Sequence, residues 1–338
     1  MNDGHTTTPV SHADLLARLQ RMALTAISRY DLSPHSTATL VNLSENATYR
    51  IDDPDSGGKA ILRIHRVGYH SYAAINSELQ WMAALRRDAG LETPEAIPAR
   101  DGTVIQTLLS PELSDPRHAV MSKFMTGHEP PEDELVAPFE RLGEVSARMH
   151  EHAKRWPLPP GFTRHTWDYE TALGSRPIWG RWQDGMGMNP AREAVLGRMS
   201  EAIRRRLERY GKPRERFGLT HADIRLANLL IEGTRTKVID FDDCGFSWYL
   251  YDLGTALSFI EHRPDVPALV DAWLSGYHKV VTLSAEERAE IPTFIMLRRL
   301  LLVAWIGSHA ETDLAQSLGE PYTEGSCQLA ETYLSKFG

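Results

Sequence analysis

Cysteine is scarce in this chain: Cys244 and Cys327 are the two thiols in 338 residues. Two thiols make no disulfide framework, and a reducing, cytoplasmic compartment is expected. Cys244 reads either as a nucleophile or as a small buried filler. Basic excess is lacking too. Lys and Arg number 37 against 45 Asp and Glu, a net charge of −8, which excludes a general nucleic-acid binder with its basic stripe. The acidic balance is compatible with a cationic ligand, but a balance of this size is commonly a matter of solubility. Long apolar runs are missing. The longest, Leu300 to Ile306, falls short of the roughly 18 residues of a membrane span, and Met1 to Ser11 lacks the apolar core of a signal peptide. There is no internal repeat, coiled coil or low-complexity tract. What remains, 42% hydrophobic and 24% charged, is an ordinary globular composition. Its length fits two domains or one large two-lobed one.

The chemistry is concentrated in Thr220-His221-Ala222-Asp223-Ile224-Arg225-Leu226-Ala227-Asn228, followed by Val238-Ile239-Asp240-Phe241-Asp242. The pattern is His-x-Asp-x-x-x-x-Asn, with a further Asp about a dozen residues on. Phosphoryl transfer from Mg-ATP requires such a set: one carboxylate for the alcohol proton, and an amide and a second carboxylate for magnesium. Residues 229–241 hold two short apolar runs around a polar turn with Gly233, a hairpin signal. The two ends of a hairpin lie side by side, so Asn228 and Asp240 are the candidate metal ligands. Asp223, on the preceding loop, is the candidate catalytic carboxylate. Arg225 is placed to steady the transferred phosphoryl group. His221 is read as a brace for the loop. Asp242 is read as a second metal or substrate contact or as an anchor of its turn, and Asp252 as a helix cap or a holder of the loop.

In these residues the chain resembles the aminoglycoside phosphotransferase and choline kinase superfamily. The branch it resembles holds the type II homoserine kinases and the bacterial stress-response kinase similar to them. The matching segments run from about residue 40 to about 310. The resemblance implies an α+β, bilobal, protein-kinase-like fold, with a small β-rich N-lobe over 1–125 and a larger, mainly helical C-lobe over 126–338. It also implies ATP and Mg²⁺ as cofactors and a hydroxyl as acceptor. Arg63, on the alternating strand 59–65, takes the position of the strand cation for the ATP phosphates, where many relatives have Lys; its guanidinium can chelate phosphate as a fork. Glu78, in a helix over 71–88, is its implied partner. Ser44 and Asn46, in the turn 42–46, are the candidate phosphate contacts, although the turn lacks Gly-x-Gly-x-x-Gly. Backbone groups at Lys123 to Met125 are expected at the adenine edge.

Elsewhere, residues 1–12 read as unstructured and 13–30 as a helix. Strands are expected at 39–41, 47–51, 103–109 and 119–125. A helix over 138–154 turns Leu142, Val145 and Met149 inward, with His150 in its core stripe. The Trp-rich segment 156–190 is a substrate lid or a packing insertion. Helices are expected at 190–210, 252–262, 267–281, 285–290, 292–310 and 324–336. Arg298 or Arg299 is a candidate for a substrate carboxylate or phosphate, and Trp305 for a pocket wall or core. The acidic stretch 129–134 is compatible with a polycationic ligand and with a solvated loop. A small-molecule alcohol is the expected partner, with no nucleic acid and no membrane. A protein Ser/Thr kinase and a catalytically silent nucleotide-binding module are the alternatives. The chain has Asp240-Phe241-Asp242 where protein kinases have Asp-Phe-Gly, and it lacks an Ala-Pro-Glu element. The oligomeric state is open.

Overall fold

A computed structural model describes residues 11–43, 46–110, 113–131 and 134–338. Ser44 therefore lies outside the described residues, as do 1–10 of the N-terminal segment and Glu132 and Asp133 of the acidic stretch. The chain divides into two compact units, one of residues 1–80 and 94–125 and the other of 81–93 and 126–338. The class is α+β, with a sheet in the first unit and mainly helices in the second. Residues 81–93 group with the second unit, not with 1–125, and one cause is visible: the Trp81 ring meets Phe241 edge-on at 5.6 Å.

The first unit contains α1 (His12–Ile27), β1 (Thr37–Leu43), β2 (Ala47–Asp52), β3 (Lys59–Ile64), the start of α2 (Tyr72–Ala89), β4 (Ile105–Ser110) and β5 (Leu113–Lys123). Ser11 caps α1 by accepting the Asp14 N–H at 3.1 Å, so the helix begins inside the stretch read as unstructured. Leu19, Met22, Ala23 and Ala26 form its apolar stripe and pack into the sheet core. The sheet is antiparallel in the order β1-β2-β3-β5-β4. Period-two alternation buries Ala47, Tyr49 and Ile51 on β2 and Ala60, Leu62 and Ile64 on β3. Arg63 accordingly points to the other face.

The second unit continues with α3 (Val136–Arg155), α4 (Tyr169–Ala172), α5 (Pro190–Tyr210), β6 (Phe217–Thr220), β7 (Leu229–Glu232), β8 (Arg235–Val238) and β9 (Gly245–Trp248). It closes with α6 (Tyr251–Ala256), α7 (Val266–Tyr277), α8 (Ala285–Ser308) and α9 (Asp313–Phe337). α3 buries Leu142, Val145 and Met149 as expected and packs against α7 with almost no gap. A Cβ on Gly143 would stand 1.9 Å from the Trp273 carbonyl oxygen, and one on Gly276 would stand 1.8 Å from that of Glu140. Only glycine permits that approach at both contacts.

α8 is one helix where two were expected. Pro292 removes one backbone hydrogen bond, but Ile291, Thr293 and Phe294 beside it are buried, and that packing carries the helix through. By length and composition α8 is long and apolar enough to cross a membrane, which counting unbroken apolar residues misses; 72% of its most apolar window is buried inside the protein. α9 starts at Asp313 rather than near 324, with a kink at Gly319 (φ 48°) ahead of Pro321.

Candidate active site

The site grows from two strand pairs. β6 pairs antiparallel with β9, and Thr220 is the partner of Gly245. β7 and β8 form the expected hairpin, Leu229 opposite Val238, turning at Gly233 with φ 61°. The Ile239 N–H donates to the Asn228 carbonyl at 2.9 Å, so Asn228 and the residue before Asp240 meet at the foot of the hairpin. Two non-glycine residues here have left-handed backbone, Ala222 (φ 64°) and Asp240 (φ 61°). Asp tolerates that region through local hydrogen bonding; Ala has no such means and must be held.

What holds Ala222 is Asp252, buried in α6. Its carboxylate accepts the N–H of His221 at 3.2 Å and of Ala222 at 2.8 Å. His150 Nε2 lies 2.8 Å from the same carboxylate, and His150 Nδ1 lies 3.0 Å from the Tyr277 hydroxyl. Asp252 is thus the holder of the loop rather than a helix cap, and His150 is a core residue bound into the same brace. His221 is fully buried, with Nε2 3.1 Å from the Ile239 carbonyl oxygen. A carbonyl can only accept, so Nε2 carries the proton and Nδ1 receives the Asp223 N–H at 3.4 Å. That is a bracing role.

Three groups reach the Asp223 carboxylate. Arg298 Nη2 donates to Oδ1 at 2.6 Å. Arg225 Nε and the Asn228 amide nitrogen donate to Oδ2 at 3.3 and 3.2 Å. Burial pushes this carboxyl up; the Arg225 and Arg298 guanidinium groups outweigh burial and hold it below the usual carboxylate range. Arg225 also lies over the Phe259 ring, 5.8 Å from its centroid. Phe259 itself has φ 71°, a rare conformation for a bulky residue.

The Asn228 amide nitrogen is spent on Asp223, by its carbonyl at 2.7 Å as well as by Oδ2, which leaves the amide oxygen for a hard cation. Among the described residues no three His, Cys, Asp or Glu side chains converge on a metal site. A cation here would rest on the Asn228 amide and the Asp240 carboxylate and fill its shell with water and phosphate oxygens. That donor set suits Mg²⁺.

Arg298 and Arg299, the candidates for a substrate anion, are instead spent on partners within the protein. Both are 2% exposed; one is committed to Asp223, and the other donates to Glu261 at 2.8 Å, Ser326 at 2.7 Å and the Tyr322 carbonyl at 3.0 Å. Trp305 is half-buried and stacks on His309 at 4.8 Å. In the segment 156–190, Trp167, Trp179 and Trp182 are buried, and its Arg164, absent from the sequence reading, grips the turn after Asp240. Arg164 Nε donates to the Cys244 carbonyl at 2.6 Å and Nη2 to that of Asp242, while Trp167 Nε1 donates to Asp243 at 2.8 Å. That part of the segment is packing. Asp242 and Cys244 are buried within the turn.

The remaining candidates lie in the first unit. Arg63 and Glu78 form an ion pair, with the glutamate side chain fully buried. Asn46 is buried, and its Oδ1 accepts the Arg66 N–H at 3.0 Å. Lys123 donates its N–H to the Glu95 carbonyl at 2.9 Å and its ammonium to the Glu95 carboxylate at 2.8 Å. Met125, half-buried, ends this unit.

The sequence model of the phosphotransferase enzyme family matches residues 38–291. Amicoumacin kinase of Bacillus subtilis (strain 168) is 23% identical over 309 residues, 88% of this chain and 87% of its own. A solved structure of the microcompartment-associated aminopropanol kinase is 45% identical with a TM-score of 0.87, covering 94% of this chain and 98% of that one. An amicoumacin kinase structure with AMP-PNP and Ca²⁺ has a TM-score of 0.76 at 21% identity, covering 96% of both chains.

Proposed function

Because this chain belongs to the phosphotransferase enzyme family, we propose that it transfers the γ-phosphoryl group of Mg-ATP to the hydroxyl of a small amino alcohol. The observation that carries this reading is the Asp223 carboxylate, held between Arg298, Arg225 and the Asn228 amide. The amino alcohol as acceptor is supported by the 45% identity to an aminopropanol kinase over nearly the whole of both chains.

Asp223 accepts a hydrogen bond from the acceptor hydroxyl and aims its oxygen at the γ-phosphorus. The new P–O bond forms as the bond to the β,γ-bridging oxygen breaks, ADP leaves, and the hydroxyl proton passes to the Asp223 carboxylate. Arg225 balances charge on the phosphoryl group in flight. Asn228 and Asp240 would hold Mg²⁺, which would supply positive charge against the phosphate oxygens. Arg63, oriented by Glu78, binds phosphate, and Asn46 is assigned to the same phosphate contact. The adenine edge meets backbone near Lys123 and Met125. Positioning and electrostatics supply the rate gain, since phosphoryl transfer through a loose transition state demands little covalent help. We extend the reading to a cytoplasmic, reducing setting, supported by the scarcity of cysteine, two in 338 residues, too few for a disulfide framework.

The test is ADP release from purified protein with Mg-ATP in the presence of 1-amino-2-propanol, other short amino alcohols, aminoglycosides, sugars or a protein substrate. Amino alcohols are expected to stimulate release, and Asp223→Asn to lower that rate about 10²- to 10⁴-fold. Stimulation by another acceptor class alone removes the amino alcohol from the reading. Full turnover by Asp223→Asn removes Asp223.

A further inference from the structure

Arg298 belongs to a helix, not to the Asp223 loop, and it is 75 residues away along the chain. Its guanidinium is 2% exposed and makes four directed contacts. Nε donates to the Ser258 hydroxyl at 2.9 Å, Nη1 to the Tyr251 hydroxyl at 3.2 Å and the Ala222 carbonyl at 3.5 Å, and Nη2 to Asp223 Oδ1 at 2.6 Å. The Trp179 ring lies 5.1 Å from its guanidinium carbon. A planar fork held at several of its nitrogens has one orientation left, and the carboxylate bonded to it inherits that orientation. Burying an ion pair is a poor route to stability compared with apolar packing. Of the four acceptors, the Asp223 carboxylate alone belongs to the reactive set. Asp252 holds the backbone of this loop; it does not touch the Asp223 side chain.

We propose that Arg298 is a positioning residue that fixes the Asp223 carboxylate against the acceptor hydroxyl, with Trp179 as the aromatic plate that keeps the guanidinium in its plane. The inference rests on the kinase reading for its consequence. Oδ1 takes Arg298 on one lone pair and offers the other to the hydroxyl, since each carboxylate oxygen accepts two donors. Losing Arg298 leaves the carboxylate held at Oδ2 alone, by the longer Arg225 and Asn228 bonds at 3.3 and 3.2 Å, so that Oδ1 can swing, and a misplacement of about 1 Å at a reacting group costs about 10²-fold.

The experiment is a kinetic cycle on the full chain with Mg-ATP and the amino alcohol that best stimulates the wild type: Arg298→Met, Asp223→Asn and the double variant, with Arg298→Lys as the conservative partner. Arg298→Met is expected to lower kcat about 100-fold with the KM for ATP unchanged, and to cost less than threefold once Asp223 is already Asn. Arg298→Lys, which restores the charge without the fork, is expected to recover about tenfold of the loss. A crystal structure of Arg298→Met is expected to show the Asp223 carboxylate turned. If Arg298→Met fails to fold, Arg298→Lys carries the same cycle, with a kcat about tenfold below wild type. Independent, multiplicative losses, or a carboxylate that stays in place in the variant structure, overturn the inference. Failure of the wild type to phosphorylate any amino alcohol overturns the acceptor reading instead, and the variant structure still decides the positioning of Asp223.

Discussion

Asp223 and Arg63 stand in different units and are held in different ways. Around Asp223, the backbone is fixed by Asp252, itself bound to His150, whose other ring nitrogen meets Tyr277, and the turn after Asp240 is gripped by Arg164. The carboxylate meets two arginines and an amide. Arg63 has a strand beneath it and the buried carboxylate of Glu78 beside it. The Asp223 loop includes a strained Ala222, and strain persists only where the surroundings over-determine it. The β3 position needs no strain, because strand alternation alone aims the side chain. A group that must be aimed within a fraction of an ångström is embedded in a network, whereas on the proposed reading a group that carries charge to a phosphate is directed by its strand and an ion pair.

The first way to break this contrast is to remove the brace of the loop. Asp252→Ala leaves two buried N–H groups and His150 without their acceptor and is expected to cost about 3–5 kcal/mol, read by chemical denaturation. A cost under about 1 kcal/mol means that the loop is held by something else. Next, Arg63→Met removes one charge-assisted hydrogen-bond donor, worth about 1.5–3 kcal/mol. The KM for ATP should rise ten- to a hundredfold while kcat falls far less. Initial rates across ATP concentrations check this, and an equal fall in kcat would place Arg63 with the aimed groups. On the proposed reading Asp240→Asn removes a charged oxygen ligand and should raise the Mg²⁺ concentration for half-maximal rate about tenfold, read by Mg²⁺ titration. An unchanged titration takes Asp240 out of the metal shell.

The smallest expected effect is at α4, whose Asp168 belongs to neither set. Asp168 caps that helix by accepting the Thr171 N–H and pairs with Lys212 at 2.7 Å. Burial pushes its carboxyl up, and the Lys212 ammonium with the Thr171 N–H outweighs burial and holds it below the ordinary 3.8. A carboxyl lowered by folding contributes stability that is full above its unfolded value and is lost as pH falls through the folded one. Asp168→Asn keeps a capping oxygen and loses the charge. It should cost about 1 kcal/mol or less at pH 7, with the difference from wild type vanishing below the lowered value. Melting curves from pH 7 to pH 2 check this; a difference that grows on acidification reverses the sign.

The chain by itself determined the parts that depend on local geometry. The His221-x-Asp223-x-x-x-x-Asn228 spacing, the hairpin that brings Asn228 to Ile239, the alternation that turns Arg63 away from the core and the inward stripe of α3 all follow from strand and helix periods of a few residues. Asp252 as a holder of the loop was legible as one of two options, because it lies soon after the motif. The tertiary structure alone decided that Arg298 meets Asp223, 75 residues away, and that Arg164 grips the Cys244 carbonyl, 80 residues away. An arginine in an apolar helix looks in sequence like a free cation, and nothing in its neighbours states which carboxylate it will meet. Helix packing selects that partner, and packing sums many weak contacts over distances that a motif does not span. The same packing carried α8 through Pro292 and set the second unit to begin at Trp81, against the local signals that read otherwise.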